Sequence, residues 1–153
     1  AMRITLAAVG RAKPGPERTL YDHYGSRLSW PLVLKEVEEK RPLPVPDRMA
    51  REAELLLATV PSGAVVVALD ERGRELGSTD FARRLGDWRD AGIGDIAFLI
   101  GGADGHGDSV RARADLLLCF GRLTWPHMLV RGMLAEQLFR AQCILSGHPY
   151  HRG

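Results

Sequence analysis

The sequence predicts an α/β fold in which a mainly parallel sheet carries helices on both faces. Short β-rich runs alternate with helical patterns from one end of the chain to the other, and no internal repeat interrupts them. Two of the runs, residues 64–69 and 96–100, are apolar throughout, as expected when both faces of a parallel strand are covered. We therefore expect these two strands at the centre of the sheet.

The length of the chain indicates a single domain. With 153 residues, of which 45% are hydrophobic, the chain can bury one sizeable core but is too short for two ordinary domains. We expect that domain to span residues 2–153, and we attribute Ala1, which precedes Met2, to cloning.

The alternating pattern places five strands and four helices along the chain. The strands are predicted at Arg3–Val9, Leu32–Val37, Ala64–Leu69, Ile96–Ile100 and Leu116–Phe120. The helices are predicted near Glu17–Leu28, Asp47–Thr59, Thr79–Ala91 and Pro126–Ser146. The prolyl segment 41–46 is expected to form an extended surface loop that leads into the second helix.

The last predicted helix has clear start and stop signals. Thr124 and Pro126 are good helix-start residues, and Gly147 is a good left-handed residue after the end. Apolar residues recur at helical spacing at positions 130, 134, 138, 141 and 145. Polar residues are expected on its outer faces, namely His127, Arg131, Glu136 and Arg140.

Composition excludes several classes of protein. No apolar run approaches the roughly 20 residues of a membrane helix, so we expect a cytoplasmic protein without a membrane partner. The two cysteines, Cys119 and Cys143, lie in apolar surroundings and are expected to be buried thiols. The net charge is only +2, but arginine predominates over lysine, which suits phosphate recognition. No serine lies in a nucleophile elbow.

A loop with four glycines follows the second apolar strand, at residues 101–107. It matches neither the Rossmann pattern nor the P-loop, so it predicts no phosphate cradle. A ligand wall and a plain tight turn are both compatible with these glycines. The neighbouring Asp104, His106 and Asp108 are interpreted as turn residues, and no metal site is expected.

Five motifs together resemble the RlmH type of SPOUT methyltransferase over essentially the whole chain. The motifs are Leu-Asp-x-x-Gly at 69–73, Phe-Leu-Ile-Gly-Gly-x-x-Gly at 98–105, Leu-Thr-x-Pro-His at 123–127, Glu-x-Leu-x-Arg-Ala at 136–141 and Pro-Tyr-His-Arg at 149–152. The resemblance implies a homodimer with a C-terminal deep trefoil knot that provides the cofactor site. It also implies methylation of N3 of a pseudouridine in 23S ribosomal RNA, of the pseudouridine-1915 type, on assembled ribosomes with S-adenosylmethionine.

The same resemblance implies which residues contact the cofactor. Leu69 matches a cofactor-contacting leucine, and Gly102 matches a glycine that lines the adenosine pocket. The knot loop is matched by Gly121, Arg122, Leu123, Thr124, Trp125 and Pro126. A bent backbone can bind the adenine edge there while apolar side chains enclose the rings. The family's usual Ser-Leu-Ser run is replaced here by residues 119–121 and a smaller apolar residue by Trp125, which puts contacts through those serine hydroxyls in doubt.

Methyl transfer to a ring nitrogen needs alignment of donor and acceptor and loss of the N3 proton. His151 is the candidate for handling that proton, while Arg152 and Arg140 are candidates for positioning phosphate or stabilising negative charge. Tyr150 can stack on a base. Glu136, the helical neighbour of Arg140, is the fifth candidate catalytic residue, and an ordinary surface ion pair explains Glu136 and Arg140 as well.

Two other functions are open at this point. A knotted protein that binds RNA or ribosomes without turnover would keep the same motifs. A small-molecule enzyme could use the glycine loop for a different nucleotide.

Overall fold

The computed structural model describes residues 2–152, so the interpretation of Ala1 lies outside the described residues. The strands are β1 (Arg3–Val9), β2 (Leu32–Val37), β3 (Val65–Glu75), β4 (Asp95–Ile100) and β5 (Leu116–Cys119). The helices are α1 (Pro16–Gly25), α2 (Val45–Leu57), α3 (Ser78–Asp90), α4 (Asp108–Arg113) and α5 (His127–Ser146). All strand pairs are parallel, and the sheet order is β2-β1-β4-β3-β5.

The sheet has an apolar core on each face, which confirms the predicted α/β layering. Strand β1 shows why: Ile4, Leu6 and Ala8 enter one core, while Ala7 and Val9 enter the other. Helices α1, α3 and α5 cover the first core, and α2 and α4 cover the second. The apolar strands β3 and β4 lie in the interior of the sheet, as predicted.

Several predicted boundaries were wrong. Helix α4 was not predicted, because six residues in a glycine-rich and arginine-rich stretch show no helical periodicity. Helix α1 ends at Gly25 instead of Leu28, β5 ends at Cys119, and β3 continues to Glu75. Gly147 does end α5 in the left-handed conformation, with φ of 77°. The residue that precedes α5 is Pro126, and the Thr124 side chain does not cap the helix.

Strand β3 pairs with β5 twice. Leu69 and Arg74 both lie opposite Leu118, so residues 70–73 protrude from the ladder as a bulge. Gly73 then lies directly against the backbone of β5: a Cβ atom at this position would be 2.6 Å from the carbonyl carbon of Leu117. A residue without a side chain is required for this close approach.

Arg131 is buried, whereas the sequence placed it on an outer face of the last helix. It is 2% exposed, and its Nη1 donates to Oε2 of Glu36 at 2.6 Å while Nη2 donates to the carbonyl of Gly10 at 2.9 Å. Burial raises the pKa of Glu36, but the Arg131 and Ala12 hydrogen bonds more than offset this and the net pKa is lowered. Arg131 thus joins α5 to β2 and to the loop after β1.

Within residues 2–152 no helix is both long enough and apolar enough to cross a membrane. Both cysteines are free and buried, as predicted.

Gly73→Ala is expected to lower the free energy of unfolding by about 1–3 kcal/mol, because a methyl group would overlap the β5 backbone. Chemical denaturation of the purified variant measures this. Gly94→Ala is the matched control, since a Cβ there meets nothing within 4 Å. Equal stability of the two variants would contradict the close approach described for Gly73.

Candidate functional site

A cavity of about 360 Å³ lies beyond Leu69 and beyond the carboxyl ends of β4 and β5. Three loops and the start of α5 surround the cavity. The first loop contributes residues 69–72, the second residues 100–106, and the third residues 118–121 and 123–125; α5 contributes His127 and Val130. Met49 of α2 and Arg111 of α4 complete the wall. Ligands of open parallel sheets bind at this edge, where the loops from several strands meet.

Six of the eight residues predicted to contact the cofactor line this cavity: Leu69, Gly102, Gly121, Leu123, Thr124 and Trp125. Arg122 and Pro126 belong to the same loop but are not part of the wall. The carbonyl of Pro126 instead accepts hydrogen bonds from the amides of Leu129 and Val130, at 3.0 and 3.1 Å, in the first turn of α5. The structure therefore brings most of this predicted set together.

The glycine loop is both a tight turn and a cavity wall. The amide of Gly105 donates to the carbonyl of Gly102 at 3.0 Å, and Gly105 has a positive φ of 82°. A Cβ atom at Gly101 would lie 3.0 Å from the carbonyl carbon of Gly105, and one at Gly102 would lie 3.1 Å from Cγ1 of Val9. Both interpretations of the loop that the sequence allowed are compatible with this geometry.

Residues 119–121, where the family usually has Ser-Leu-Ser, form a locally closed turn. Gly121 has a φ of 114°, a conformation that favours glycine. The thiol of Cys119 donates to the carbonyl of Gly121 at 3.0 Å, and the indole of Trp125 donates to the carbonyl of Phe120 at 3.3 Å. These two hydrogen bonds close the segment 119–125 that lines the cavity.

Asp70 and Arg111 form a charged pair in the wall that the sequence reasoning did not identify. Oδ2 of Asp70 accepts from Nε of Arg111 at 2.7 Å, and Oδ1 accepts from the amide of Arg72 at 2.8 Å. Burial alone raises the pKa of Asp70, but these hydrogen bonds outweigh it and the net pKa is lowered. The carboxylate is therefore ionised and holds the protruding loop against α4. Arg111 lies in the unpredicted helix, so no sequence signal connected the two.

His106 places an unpartnered polar atom in the cavity wall. The side chain is 3% exposed, and Nε2 lies 3.1 Å from the carbonyl of Leu99, to which it donates. Nδ1 is buried and has no hydrogen-bond partner. Burial lowers the pKa of His106, which favours the neutral ring, and Nδ1 is then an acceptor that is closed off from solvent. The prediction that His106 is only a turn residue was wrong, because its ring is buried and hydrogen-bonded to the carbonyl of Leu99.

Four of the five predicted catalytic residues form a cluster on the outer side of α5. Nε and Nη2 of Arg140 donate to the two carboxylate oxygens of Glu136, at 3.3 and 2.7 Å. The hydroxyl of Tyr150 donates to Oε2 of Glu136 at 2.8 Å, and Nδ1 of His151 accepts from Nη1 of Arg140 at 2.9 Å. Burial, followed by the hydrogen bonds with Tyr24 and Glu136, raises the pKa of Tyr150, which keeps the phenol protonated. We call these four residues the tail cluster; Arg152 is exposed beside it.

The tail cluster lies far from the cavity of its own chain. The cavity contacts α5 at His127 and Val130, whereas Arg140 is three turns further along. At 1.5 Å per residue, Arg140 lies about 15 Å along the helix from Val130, the last cavity residue of α5, and Glu136 lies about 9 Å from it. None of the five predicted catalytic residues lines the cavity, and within residues 2–152 no group of three or more metal-binding side chains occurs.

Comparison with known proteins identifies the family. Residues 2–151 match the family described as "Predicted SPOUT methyltransferase". The chain belongs to the SPOUT methyltransferase family. Two relatives are named "Ribosomal RNA large subunit methyltransferase H": that of Paramagnetospirillum magneticum is 72% identical and that of Rhodospirillum centenum 65%, each over 151 residues and 99% of both chains.

Solved structures share the fold of this SPOUT methyltransferase at low sequence identity. A Haemophilus influenzae protein assigned to the methylase family has a TM-score of 0.58 at 9% identity, with 99% of this chain and 71% of that chain covered. A Legionella pneumophila protein assigned as a methyltransferase, solved with bound S-adenosylmethionine, has a TM-score of 0.51 at 12% identity. The match covers 92% of this chain and 66% of that one, so this chain spans just under two thirds of the Legionella protein.

Asp70→Asn is expected to lower the free energy of unfolding by about 1–3 kcal/mol at pH 7, because Arg111 loses a charged partner. Folding lowers the pKa of Asp70. The ionised carboxylate therefore stabilises the fold fully above the pKa of an unfolded aspartate, about 4, and this stabilisation is lost as the pH falls through the lower pKa of the folded protein. The difference between wild type and variant should therefore shrink below about pH 4. Urea denaturation of both proteins at pH 7 and pH 3 measures this difference in the free energy of unfolding.

Asp80→Asn is the matched control for that prediction. Asp80 also pairs with an arginine, Arg83, at 2.9 Å, but both side chains are more than half exposed. Its replacement should cost at most about 1 kcal/mol. A pH-independent loss at Asp70 would show that the charge of the carboxylate is not what stabilises the loop.

Proposed function

We propose that this SPOUT methyltransferase uses S-adenosylmethionine to methylate N3 of a pseudouridine in 23S ribosomal RNA, of the pseudouridine-1915 type, in the cytoplasm. The observation that carries the proposal is the cavity at the carboxyl edge of the sheet, whose wall holds six of the residues matched to the family's cofactor site. The relatives at 72% and 65% identity bear names of large-subunit ribosomal RNA methyltransferases, which supports RNA as the substrate.

The cavity fits an adenosyl sulfonium better than a nucleotide. Apolar side chains of Leu69, Ile100, Leu118 and Val130 can enclose an adenine ring. The loops contain no phosphate-binding pattern, and S-adenosylmethionine has no phosphate. When bound, it would supply a methyl group activated by the positive sulfur.

We further propose that two copies share each site. The tail cluster does not line the cavity of its own chain, and a second chain packed along α5 would bring the cluster of one copy to the cavity of the other. A groove of about 540 Å³ between α1, α3 and α5 supports this arrangement, since it is lined by apolar side chains including Leu20, Leu76 and Met133. Phe120 and Gly121 line both this groove and the cavity, so a chain seated in the groove would border the cofactor.

The hydrogen bonds of the tail cluster suggest how it would act on the substrate. Because Arg140 donates to Nδ1 of His151, the neutral ring carries its proton on Nε2. His151 can then donate a hydrogen bond to an imide oxygen and stabilise the negative charge left when N3 loses its proton. Acceptance of that proton by His151 would require Arg140 to move away first. Exposed Arg152 is free to contact a phosphate.

The knot implied by the family resemblance is also part of this proposal. The feature that supports it is that residues 118–121 and 123–125, which lead from β5 into α5, line the cavity together with the loops after Leu69 and Ile100. A threaded C-terminal segment would fix the loops around the cofactor without a separate lid.

Deletion of the gene is expected to remove one methylated pseudouridine from 23S ribosomal RNA while leaving its other modifications in place. Mass mapping of ribosomal RNA fragments from the deletion strain and its parent measures this. Re-expression of the wild-type chain is the control and should restore the missing mass. An unchanged modification pattern would reject the proposed reaction, as would failure of the purified protein to bind S-adenosylmethionine.

His151→Ala is expected to retain S-adenosylmethionine binding and to lose methylation, because His151 lies outside the cavity of its own chain. Gly102→Leu is expected to lose both, since a side chain there would collide with Val9 and Glu52 and displace the loop that lines the cavity. When the two inactive variants are mixed as subunits, about half of the dimers are mixed and each has one intact site, so about a quarter of wild-type activity should return. Each variant alone is the control, and no recovery on mixing would contradict shared sites.

A further inference from the structure

Arg111 has a guanidinium group that is only partly used within the chain. Its Nε donates to Oδ2 of Asp70 at 2.7 Å, and its Nη1 lies 4.0 Å from the fully exposed Asp108. Among residues 2–152 these are the only partners of the group within salt-bridge distance. The side chain is 23% exposed and forms part of the cavity wall. Its two Nη nitrogens are therefore available to a ligand in the cavity.

The position of this guanidinium is fixed in advance. Asp70, whose side chain is 2% exposed, holds Nε, and the second oxygen of Asp70 is occupied by the amide of Arg72. A guanidinium that is anchored through Nε presents its remaining N–H donors in a plane, the geometry that matches a carboxylate. Because the side chain is already ordered, little conformational entropy is lost when it binds an anion.

The chemistry of the methyl donor decides which group Arg111 would bind. Adenine and ribose are neutral, and the sulfonium and the α-ammonium are cations, so the α-carboxylate of the methionine portion is the one anionic group. We propose that Arg111 binds this α-carboxylate and so forms the amino-acid subsite of the cavity. This inference rests on the proposed use of S-adenosylmethionine and adds a residue that the family resemblance did not supply.

Such a contact acts on binding and not on the transfer of the methyl group. The carboxylate has the same charge in S-adenosylmethionine and in the product S-adenosylhomocysteine. Loss of Arg111 should therefore weaken both ligands alike and raise KM with little change in kcat. The affinity for 5′-methylthioadenosine, which lacks the amino-acid portion, should not depend on Arg111.

Calorimetric binding of S-adenosylhomocysteine and 5′-methylthioadenosine to wild type and Arg111→Met tests the proposal. We expect affinity for S-adenosylhomocysteine to fall about tenfold or more, as for a lost charge-assisted hydrogen bond, and affinity for 5′-methylthioadenosine to stay within about twofold. Arg113→Met is the matched control: Arg113 lies on the same helix but contacts Asp115 and the carbonyl of Ala64 outside the cavity, and neither affinity should change.

Arg111→Lys provides a second variant in case the methionine variant does not fold. Lysine can still pair with Asp70 but lacks the planar fork, so a severalfold selective loss for S-adenosylhomocysteine is expected. Parallel weakening of both ligands would overturn the proposal, because Arg111 would then only shape the cavity through Asp70. Unchanged binding of both ligands would also overturn it, as would a loss confined to RNA affinity, which would identify a phosphate contact. Wild-type protein that binds neither ligand would instead reject the proposed function itself.

Discussion

The architecture depends on the close approach of two backbones at Gly73. Because this residue has no side chain, the outer part of β3 can lie against Leu117 and Leu118 of β5. The approach forces residues 70–73 out of the ladder and towards the carboxyl edge of the sheet. The bulge carries Asp70 into the cavity wall, where the carboxylate fixes α4 through Arg111. The close approach at Gly73 and the charged pair in the cavity wall thus belong to the same irregular part of β3.

Helix α5 connects the remaining parts of the molecule. Its first turn closes the cavity, its buried stripe at Leu134, Leu138 and Ala141 packs on the sheet, and its last turns hold the tail cluster. One rigid element therefore separates the methyl-donor cavity from the residues matched to catalysis. Within a single chain the tail cluster does not line the cavity, and the proposal that two copies share each site rests on this separation.

Much of the fold could be predicted from the sequence, because the apolar runs and their alternation with helical patterns are local signals. The strands at 3–9 and 32–37 were predicted with the bounds that the structure shows. What could not be predicted depends on partners distant in sequence. Arg131 was predicted to be a surface residue of an amphipathic helix, because the sequence does not show that Glu36 lies beside it. The extension of β3 beyond Leu69 needs the β5 backbone, and α4 is too short to produce a periodic pattern.

The candidate site also contains features that the sequence predicted and features that it could not predict. Motifs located the segments of the cavity wall, since glycines and a Leu-Thr-x-Pro-His run are recognisable without coordinates. They did not reveal Arg111 or the acceptor on His106, whose importance comes from burial and from an unpaired atom. Nor did they show that the polar residues near the C-terminus bind one another on α5.

The buried ion pair of Arg131 also constrains when the protein can mature during synthesis. It joins α5 to Glu36 of β2, which lies 95 positions earlier in the chain, and to Gly10 in the loop after β1, which lies 121 positions earlier. Such distant contacts are slow to form, because a long segment of chain must be ordered to close them. The loop after β1 therefore lacks its arginine partner until α5 has been synthesised, and this edge of the sheet is completed only after the other strands have left the ribosome.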